Sequence, residues 1–272
     1  MIERITELAP FINFIDSFQD DDRYSDPMLA TEEERDCNLF AAVTRPGRIV
    51  MGVFDGCLLT GLFTLLVIPD EKYMEMLAGL SRVKSAYDEL LRYLEKNYSG
   101  YDADFVFNPQ NDLLKDELEA RGARFETEQQ KMVFTHRLQQ TETGGVELLS
   151  QRYMDQYLAM HGTDMYWTGD KVAEATERFR TLIAVDGETV VGYIDVTHCF
   201  DENEPYDLFV KEECRRKGWG RKLLAGALAL NEPKDMMLLV EVDNEPAIQL
   251  YESMGFIKVK RQNSITVRWK IE

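Results

Sequence analysis

Hydrophobic and polar positions alternate along this chain in a succession of patterns that occurs twice. Ile5, Leu8, Ile12 and Ile15 fall at helical spacing, and the acidic stretch Asp20 to Asp36 follows as loop and helix with a solvated face. Arg48 to Phe54 and Leu58 to Ile68 flank an Asp55-Gly56 turn and read as a hairpin. Met74 to Tyr98 reads as a long helix or helix pair, with Val83, Tyr87, Leu90, Leu91 and Leu94 on one face. Phe105 to Phe107 is a short strand, Asn111 to Arg121 a helix closed by Gly122, and Phe125 to Arg137 a strand.

Gln139 to Gly145 is polar and unpatterned, the composition of a linker. Beyond it, Val146 to Ser150 reads as strand and Arg152 to Met160 as helix. The polar and aromatic passage His161 to Trp167 leads into a helix ending near Arg180. Leu182 to Val185 and Thr189 to His198 form a second hairpin about Asp186-Gly187. A strand, a basic loop, a helix and the strand Met237 to Val242 follow, then the helix Asn244 to Met254 closed by Gly255 and two strands within Phe256 to Ile271. Asp55-Gly56 with Gly61 repeats as Asp186-Gly187 with Gly192 at an offset of 131, and Asn111 with Gly122 repeats as Asn244 with Gly255 at an offset of 133. So long a period indicates duplicated domains, expected at 1–140 and 145–272.

The basic loop carries the most specific chemistry. An apolar strand, Leu208, Phe209 and Val210, runs into Arg215-x-x-Gly218-x-Gly220 with Arg216, Lys217, Trp219, Arg221 and Lys222 in the same turn, and a helix follows. Glycines expose backbone N–H groups and a helix N-terminus adds free donors, so the loop suits a phosphate, though a solvated glycine turn has the same composition. At the offset of 133 its Arg215, Gly218 and Gly220 face Arg82, Ser85 and Tyr87, so the first copy is expected to be structural or substrate-shaping. The formal net charge of −18 argues against a nucleic-acid partner and suits a cationic small substrate. Cys37, Cys57, Cys199 and Cys214 form no Cys-x-x-Cys pair and the three histidines show no ligand spacing, so neither disulfides nor a metal is expected. With no signal-like or spanning apolar run, a soluble cytoplasmic protein without membrane contact is expected.

Asn244-Glu-Pro-Ala-Ile-Gln-Leu-Tyr251-Glu-Ser-Met-Gly255-Phe256 spells out a capped helix, with Asn244 at the N-cap and Pro246 in the first turn. Read alone, Tyr251 is a core aromatic. Taken with Leu208 to Val210 and the glycine loop, this helix resembles the GNAT superfamily of N-acetyltransferases, and the order of elements over 146–272 agrees. The resemblance implies an α/β (α+β) fold of two tandem GNAT-like domains, each a mixed, mostly antiparallel splayed sheet flanked by helices. It also implies acetyl transfer from acetyl-CoA to an amine in a ternary complex. The pyrophosphate would lie on the amides of Arg216 to Arg221, the pantetheine along Leu208 to Val210 and at Asn244, and Tyr251 would protonate the departing thiolate.

The proton acceptor is left open by the resemblance. Glu241 ends a strand beside the expected splay, Asp207 shares a strand face with Phe209 opposite Leu208 and Val210, and Glu204 or a water relay are further candidates. Asp164, Tyr166, Trp167 and Asp170 would suit a cationic amine through charge and ring contacts, or would simply pack the loop. A non-catalytic acyl-CoA-binding or interaction module would keep the cradle and need no base. Other nucleotide-binding loops lack support, because no P-loop or dinucleotide motif is present.

Overall fold

The computed structural model describes residues 1–134, 142–162 and 167–272. They form two compact units, Met1–Gln130 with Lys260–Glu272, and Lys131–Val259. Unit 1 holds β1 (Ile2–Ile5), α1 (Ile12–Asp16), α2 (Glu32–Arg35), β2 (Arg48–Asp55), β3 (Leu58–Ile68), β4 (Tyr73–Ser81), α3 (Lys84–Asn97), β5 (Asp102–Phe107), α4 (Asp112–Glu119), β6 (Arg124–Phe125) and the start of β7 (Gln129–Phe134). Unit 2 holds the rest of β7, then β8 (Val146–Leu148), α5 (Met154–Leu158), α6 (Gly169–Glu174), β9 (Phe179–Asp186), β10 (Thr189–Thr197), β11 (Glu202–Asn203), β12 (Pro205–Val210), α7 (Trp219–Asn231), β13 (Asp235–Glu241), α8 (Glu245–Ser253) and β14 (Ile257–Lys258). The last strand, β15 (Ile265–Lys270), belongs to unit 1.

Unit 1 is a seven-stranded sheet in the order β1-β2-β3-β4-β5-β15-β6, antiparallel except for the parallel pair β4–β5. Ala86, Tyr87, Leu90, Leu91 and Leu94 make the buried stripe of α3 and meet Phe63, Phe105, Val267 and Trp269 in one core. Because β15 pairs with β5 along its whole length, the domain boundaries differ from those expected at 1–140 and 145–272: the C-terminal thirteen residues complete the first unit.

Three element expectations are corrected. Met74 to Ser81 is strand rather than helix, because Met74, Met76, Ala78 and Leu80 are buried in the middle of a sheet, where hydrogen bonds to β3 and β5 outweigh helix-forming composition. Phe125 to Phe134 is broken into β6 and β7, and α6 stops at Glu174 so that Phe179 already opens β9. The acidic stretch is only partly a solvated face. Asp26 is 7 % exposed and accepts N–H bonds from Gly79 (2.6 Å) and Met28 (2.8 Å).

Unit 2 has two four-stranded sheets, β12-β10-β9-β8 and β11-β13-β7-β14. β11 pairs in parallel with the start of β13, after which β12 departs and bonds only to β10. The result is a splay between β12 and β13. Leu208 and Val210 pack with α7 and α8 in one cluster, while Phe209 packs with Tyr157 and Tyr193 in another, so the two faces of β12 divide as its alternation requires.

The duplication extends to irregularities. Both hairpins skip one residue at the same place, Thr60 in β3 and Val191 in β10, and Leu77 in β4 and Tyr206 in β12 are left out of register alike. Asn111 and Asn244 each accept an N–H bond of 3.2 Å, from Leu114 and Ala247 respectively, and Gly122 and Gly255 both close their helix at positive φ.

Trp269 is 4 % exposed at the centre of the unit 1 core. Trp269→Ala is expected to destabilise the protein by ~3–5 kcal/mol in chemical denaturation. A loss below about 1 kcal/mol would mean that β15 is not a core strand.

Candidate functional site

Three features of unit 2 meet around the splay. The first is the free edge of β12. Lys211 donates its backbone N–H to Val191 O (2.9 Å), which fixes the alternation of the β10–β12 ladder. Asp207 and Phe209 therefore bond to β10, and the N–H groups of Leu208 and Val210 face the edge that β13 leaves open. Arg215 Nε donates to Val210 O at 3.0 Å, which ties this exposed arginine to the strand end.

The second feature is the loop from Lys211 to Gly218. Among the described residues, no backbone N–H from Arg216 to Arg221 donates a hydrogen bond. Gly218 has φ +86 and open space where a side chain would project. It therefore both permits the left-handed turn and leaves the amides uncovered. Gly220 acts differently from its expected role: a Cβ there would point inward to Leu250 and Val210, at 3.4 and 4.0 Å. Arg216 and Lys217 are exposed, whereas Arg221 is engaged with Ser253 and Met254. Trp219 packs against the unit 2 core, with Lys222 Nζ 5.1 Å from its ring centre.

The third feature is a set of side chains that face one another across β10 and β12. Asp195 and Asp207 are direct cross-strand partners. Like charges in this arrangement repel, and Asp195 is fully buried. Donors surround them. Thr181 Oγ1 donates to Asp195 at 2.5 Å, Tyr157 Oη at 3.1 Å to each Asp195 oxygen, and Tyr193 Oη to Asp207 at 2.6 Å. His161 Nε2 lies 2.8 Å from Asp195 Oδ2 and 3.8 Å from Asp207 Oδ2, with its ring stacked on Tyr193 at 4.9 Å. Burial pulls the His161 imidazole down, but its bond to Asp195 and the charges of both aspartates outweigh that and hold it above the ordinary histidine range. Burial raises Asp207, and the Asp195 charge adds to the rise against the opposing Tyr193 bond and His161 charge. The donor atoms of His161, Asp195 and Asp207 lie within 4.8 Å of one another. Both Asp195 oxygens and Asp207 Oδ2 accept hydroxyl or imidazole bonds or lie beside the imidazole, so the set is joined in one hydrogen-bonded network.

The candidate residues of the motifs distribute around these features unevenly. Tyr251 packs in α8 beside Phe256, and burial, with the Asp207 charge, pushes its hydroxyl up to about 12. Asn244 is spent as the cap of α8. Glu241 is exposed at the end of β13, and its backbone oxygen accepts the Asn244 N–H. Burial pushes Glu204 up to about 7 against the charges of Lys131 and Arg178. Trp167 stands edge-on to Phe179 at 5.0 Å, with the Arg178 guanidinium 4.9 Å from its ring centre, so its face is already covered by a cation of the chain. Asp164 and Tyr166 lie outside the described residues. His161, Asp195, Tyr157, Tyr193 and Thr181 are brought to the site by the fold and belong to no motif. A lone Asp inside the apolar run Thr189 to Thr197 is the one signal of them in the sequence.

Unit 1 differs from unit 2 in each feature at the equivalent place. Two residues, Arg82 and Val83, join β4 to α3, against eight between β12 and α7, so the phosphate loop is missing and Arg82, Ser85 and Tyr87 are not its counterparts. Thr64 and Ala78 are partnered as Asp195 and Asp207 are. Gly79, in the register of Leu208, gives its N–H to the Asp26 carboxylate.

Residues 177–258 match the model of the acetyltransferase (GNAT) domain. Among solved structures, a GCN5-related N-acetyltransferase from Sphaerobacter thermophilus is similar with a TM-score of 0.63 at 13% identity, over 100% of this chain and 96% of that one. A tandem GNAT protein from the clavulanic acid biosynthesis pathway has a TM-score of 0.55 at 13% identity, over 98% of each chain. A functionally unknown conserved protein from Staphylococcus epidermidis has a TM-score of 0.58 at 13% identity, over 81% of this chain and 94% of that one. A comparison with curated proteins finds no match. The chain is thus a tandem GNAT-fold protein with an acetyltransferase-type domain in its C-terminal unit. No helix among the described residues is long and apolar enough to cross a membrane.

Burial pushes Asp26 up to about 7 from an ordinary 3.8, against two N–H bonds. The folded state then holds a proton that the unfolded chain releases, so this group's contribution to stability falls as pH rises from about 4 to 7. Urea midpoints should decline over that window, and Asp26→Asn should flatten the decline. An equal slope in the variant would assign the effect elsewhere.

Proposed function

We propose that the protein transfers an acetyl group from acetyl-CoA to a primary amine of a small molecule or peptide, by direct attack within a ternary complex at unit 2. The observation that carries this reading is the open edge of β12, with the N–H groups of Leu208 and Val210 directed away from β10, beside the uncovered amides of Arg216 to Arg221. An extended pantetheine would pair with that edge as an added strand, and the diphosphate would rest on the loop amides and the α7 N-terminus. One of the edge N–H groups can polarise the thioester carbonyl and hold its developing charge.

Asp207 is favoured over Glu241 as proton acceptor. It is half-buried on the strand that would carry the thioester, and it acts electrostatically on Tyr251. Asp207 first takes one proton from the ammonium. The freed amine nitrogen then bonds to the acyl carbon, and as the carbon–sulfur bond breaks the second proton lost by nitrogen goes to the departing sulfur, which leaves as the thiol. With its hydroxyl raised to about 12, Tyr251 stays protonated, and full transfer to a thiolate of about 8.5 is uphill. Its part is a hydrogen bond to the departing sulfur. The net negative charge of the chain suits an acceptor that arrives as an ammonium ion. Unit 1, with Asp26 on the equivalent strand edge, takes a structural or substrate-shaping part.

Saturating acetyl-CoA should raise the melting temperature, by about 2.7 kcal/mol of stabilisation at a hundredfold excess over Kd. Joint Arg216→Glu and Lys217→Glu substitution at exposed positions should remove most of that rise; an undiminished shift would move the diphosphate elsewhere.

Tyr251→Phe should lower kcat by about 10–100-fold with little change in the acetyl-CoA KM. Asp207→Asn should cost about 100-fold or more and Glu241→Gln little. The reverse order in steady-state kinetics would transfer the base to Glu241.

A further inference from the structure

Two carboxylates placed directly opposite on one sheet face, one of them fully buried, are a destabilising arrangement unless a cation stands between them. His161 stands there. It enters from the residues just after α5, its side chain only 2 % exposed, and Nε2 is within 4 Å of both aspartates. The groups that face the pair from the packed elements are Tyr157 of α5, Thr181 of β9, Tyr193 of β10 and, acting through space from α8, Tyr251. All are neutral hydroxyls, so among the described residues His161 is the group able to carry positive charge within 4 Å of both carboxylates.

We propose that His161 is a positioning residue for the transfer reaction, an imidazolium clamped between Asp195 and Asp207 that keeps both facing carboxylates charged and thereby holds Asp207 ready to receive the acceptor's proton. Asp195 holds His161 in place, since it accepts from the imidazole at 2.8 Å and is itself fixed by Thr181 and Tyr157. With one imidazolium and two carboxylates the cluster carries one net negative charge, which the incoming ammonium balances. After the proton has moved to Asp207 the cluster is neutral and the amine is free to attack. The register supports a functional origin for the pair. In unit 1, where the strand edge is closed by Asp26, the same two positions are Thr64 and Ala78 and no like-charge pair is buried there.

The inference rests on the reading of Asp207 as proton acceptor, so the test separates the two claims. In the full chain with 15N-labelled histidine, the His161 ring signal, assigned by its loss in His161→Gln, should titrate above the ordinary value of about 6.5, and Asp195→Asn should lower it by about one unit or more. A ring that titrates at or below the ordinary value, or that ignores Asp195→Asn, overturns the clamp. In pH profiles of kcat/KM for amine acetylation, His161→Gln should move the acidic limb upward by about one unit or more, because Asp207 then shares its face with an uncompensated carboxylate, and most activity should return at alkaline pH. Adding Asp195→Asn removes that repulsion and should bring the limb back toward the parent position. A uniform loss at every pH in His161→Gln, or a double variant whose limb is no nearer the parent, makes His161 a scaffold and overturns the proposal. If the unsubstituted chain acetylates no amine while His161 titrates as described, the transfer reading falls and the clamp stands.

Discussion

A strand in the middle of a protein has two edges of backbone donors and acceptors, and buried ones must find partners. In unit 2, β12 satisfies one edge through β10 and diverges from β13 at the other, leaving Leu208 and Val210 with N–H groups directed into a gap. Most of the site follows from that single divergence. The gap is lined on one side by a strand that can accept an extended ligand, and it ends at a helix whose first amides are uncovered. In unit 1 the corresponding donor at Gly79 is met from within the chain, by the carboxylate of Asp26. The same topological problem thus has two solutions in one polypeptide, one closed and one open.

The differences between the units also explain which residues carry meaning. Asn111 and Asn244 cap their helices with equal geometry, and the hairpin glycines and bulges coincide, so these features serve the fold. The eight-residue loop before α7 and the Asp195–Asp207 pair occur in unit 2 only, and they are the features that make chemical sense together. A buried like-charge pair lowers stability wherever it has no task, and Thr64 with Ala78 is what stands there when the pair is absent.

Landmarks tied to local backbone demands are legible in the sequence. Asp-Gly turns, the Asn244 cap, the Gly255 stop and the turn at Gly218 each announce a conformation by residue type, and the hairpins, α4, α7 and α8 lie where those signals put them. Features decided by distant partners are not. Met74 to Ser81 has the composition of a helix and becomes a strand because β3 and β5 are beside it. Asp195 and Asp207 are twelve positions apart and become neighbours only through the β10–β12 register, while His161 reaches them from outside that sheet. Gly220 shows a subtler limit: the motif marks its position, but its missing side chain makes room for Leu250 rather than for a ligand.

The path of the chain through the two units has a consequence for biosynthesis. Most of unit 1 is made before unit 2, yet its sheet has a gap between β5 and β6 until Ile265–Lys270 is inserted. Vectorial synthesis therefore completes the earlier unit only after the intervening one has emerged from the ribosome. A nascent chain must shelter a half-built core in the meantime, and a premature stop that spares every residue of the proposed active site would still leave the amino-terminal half unable to close.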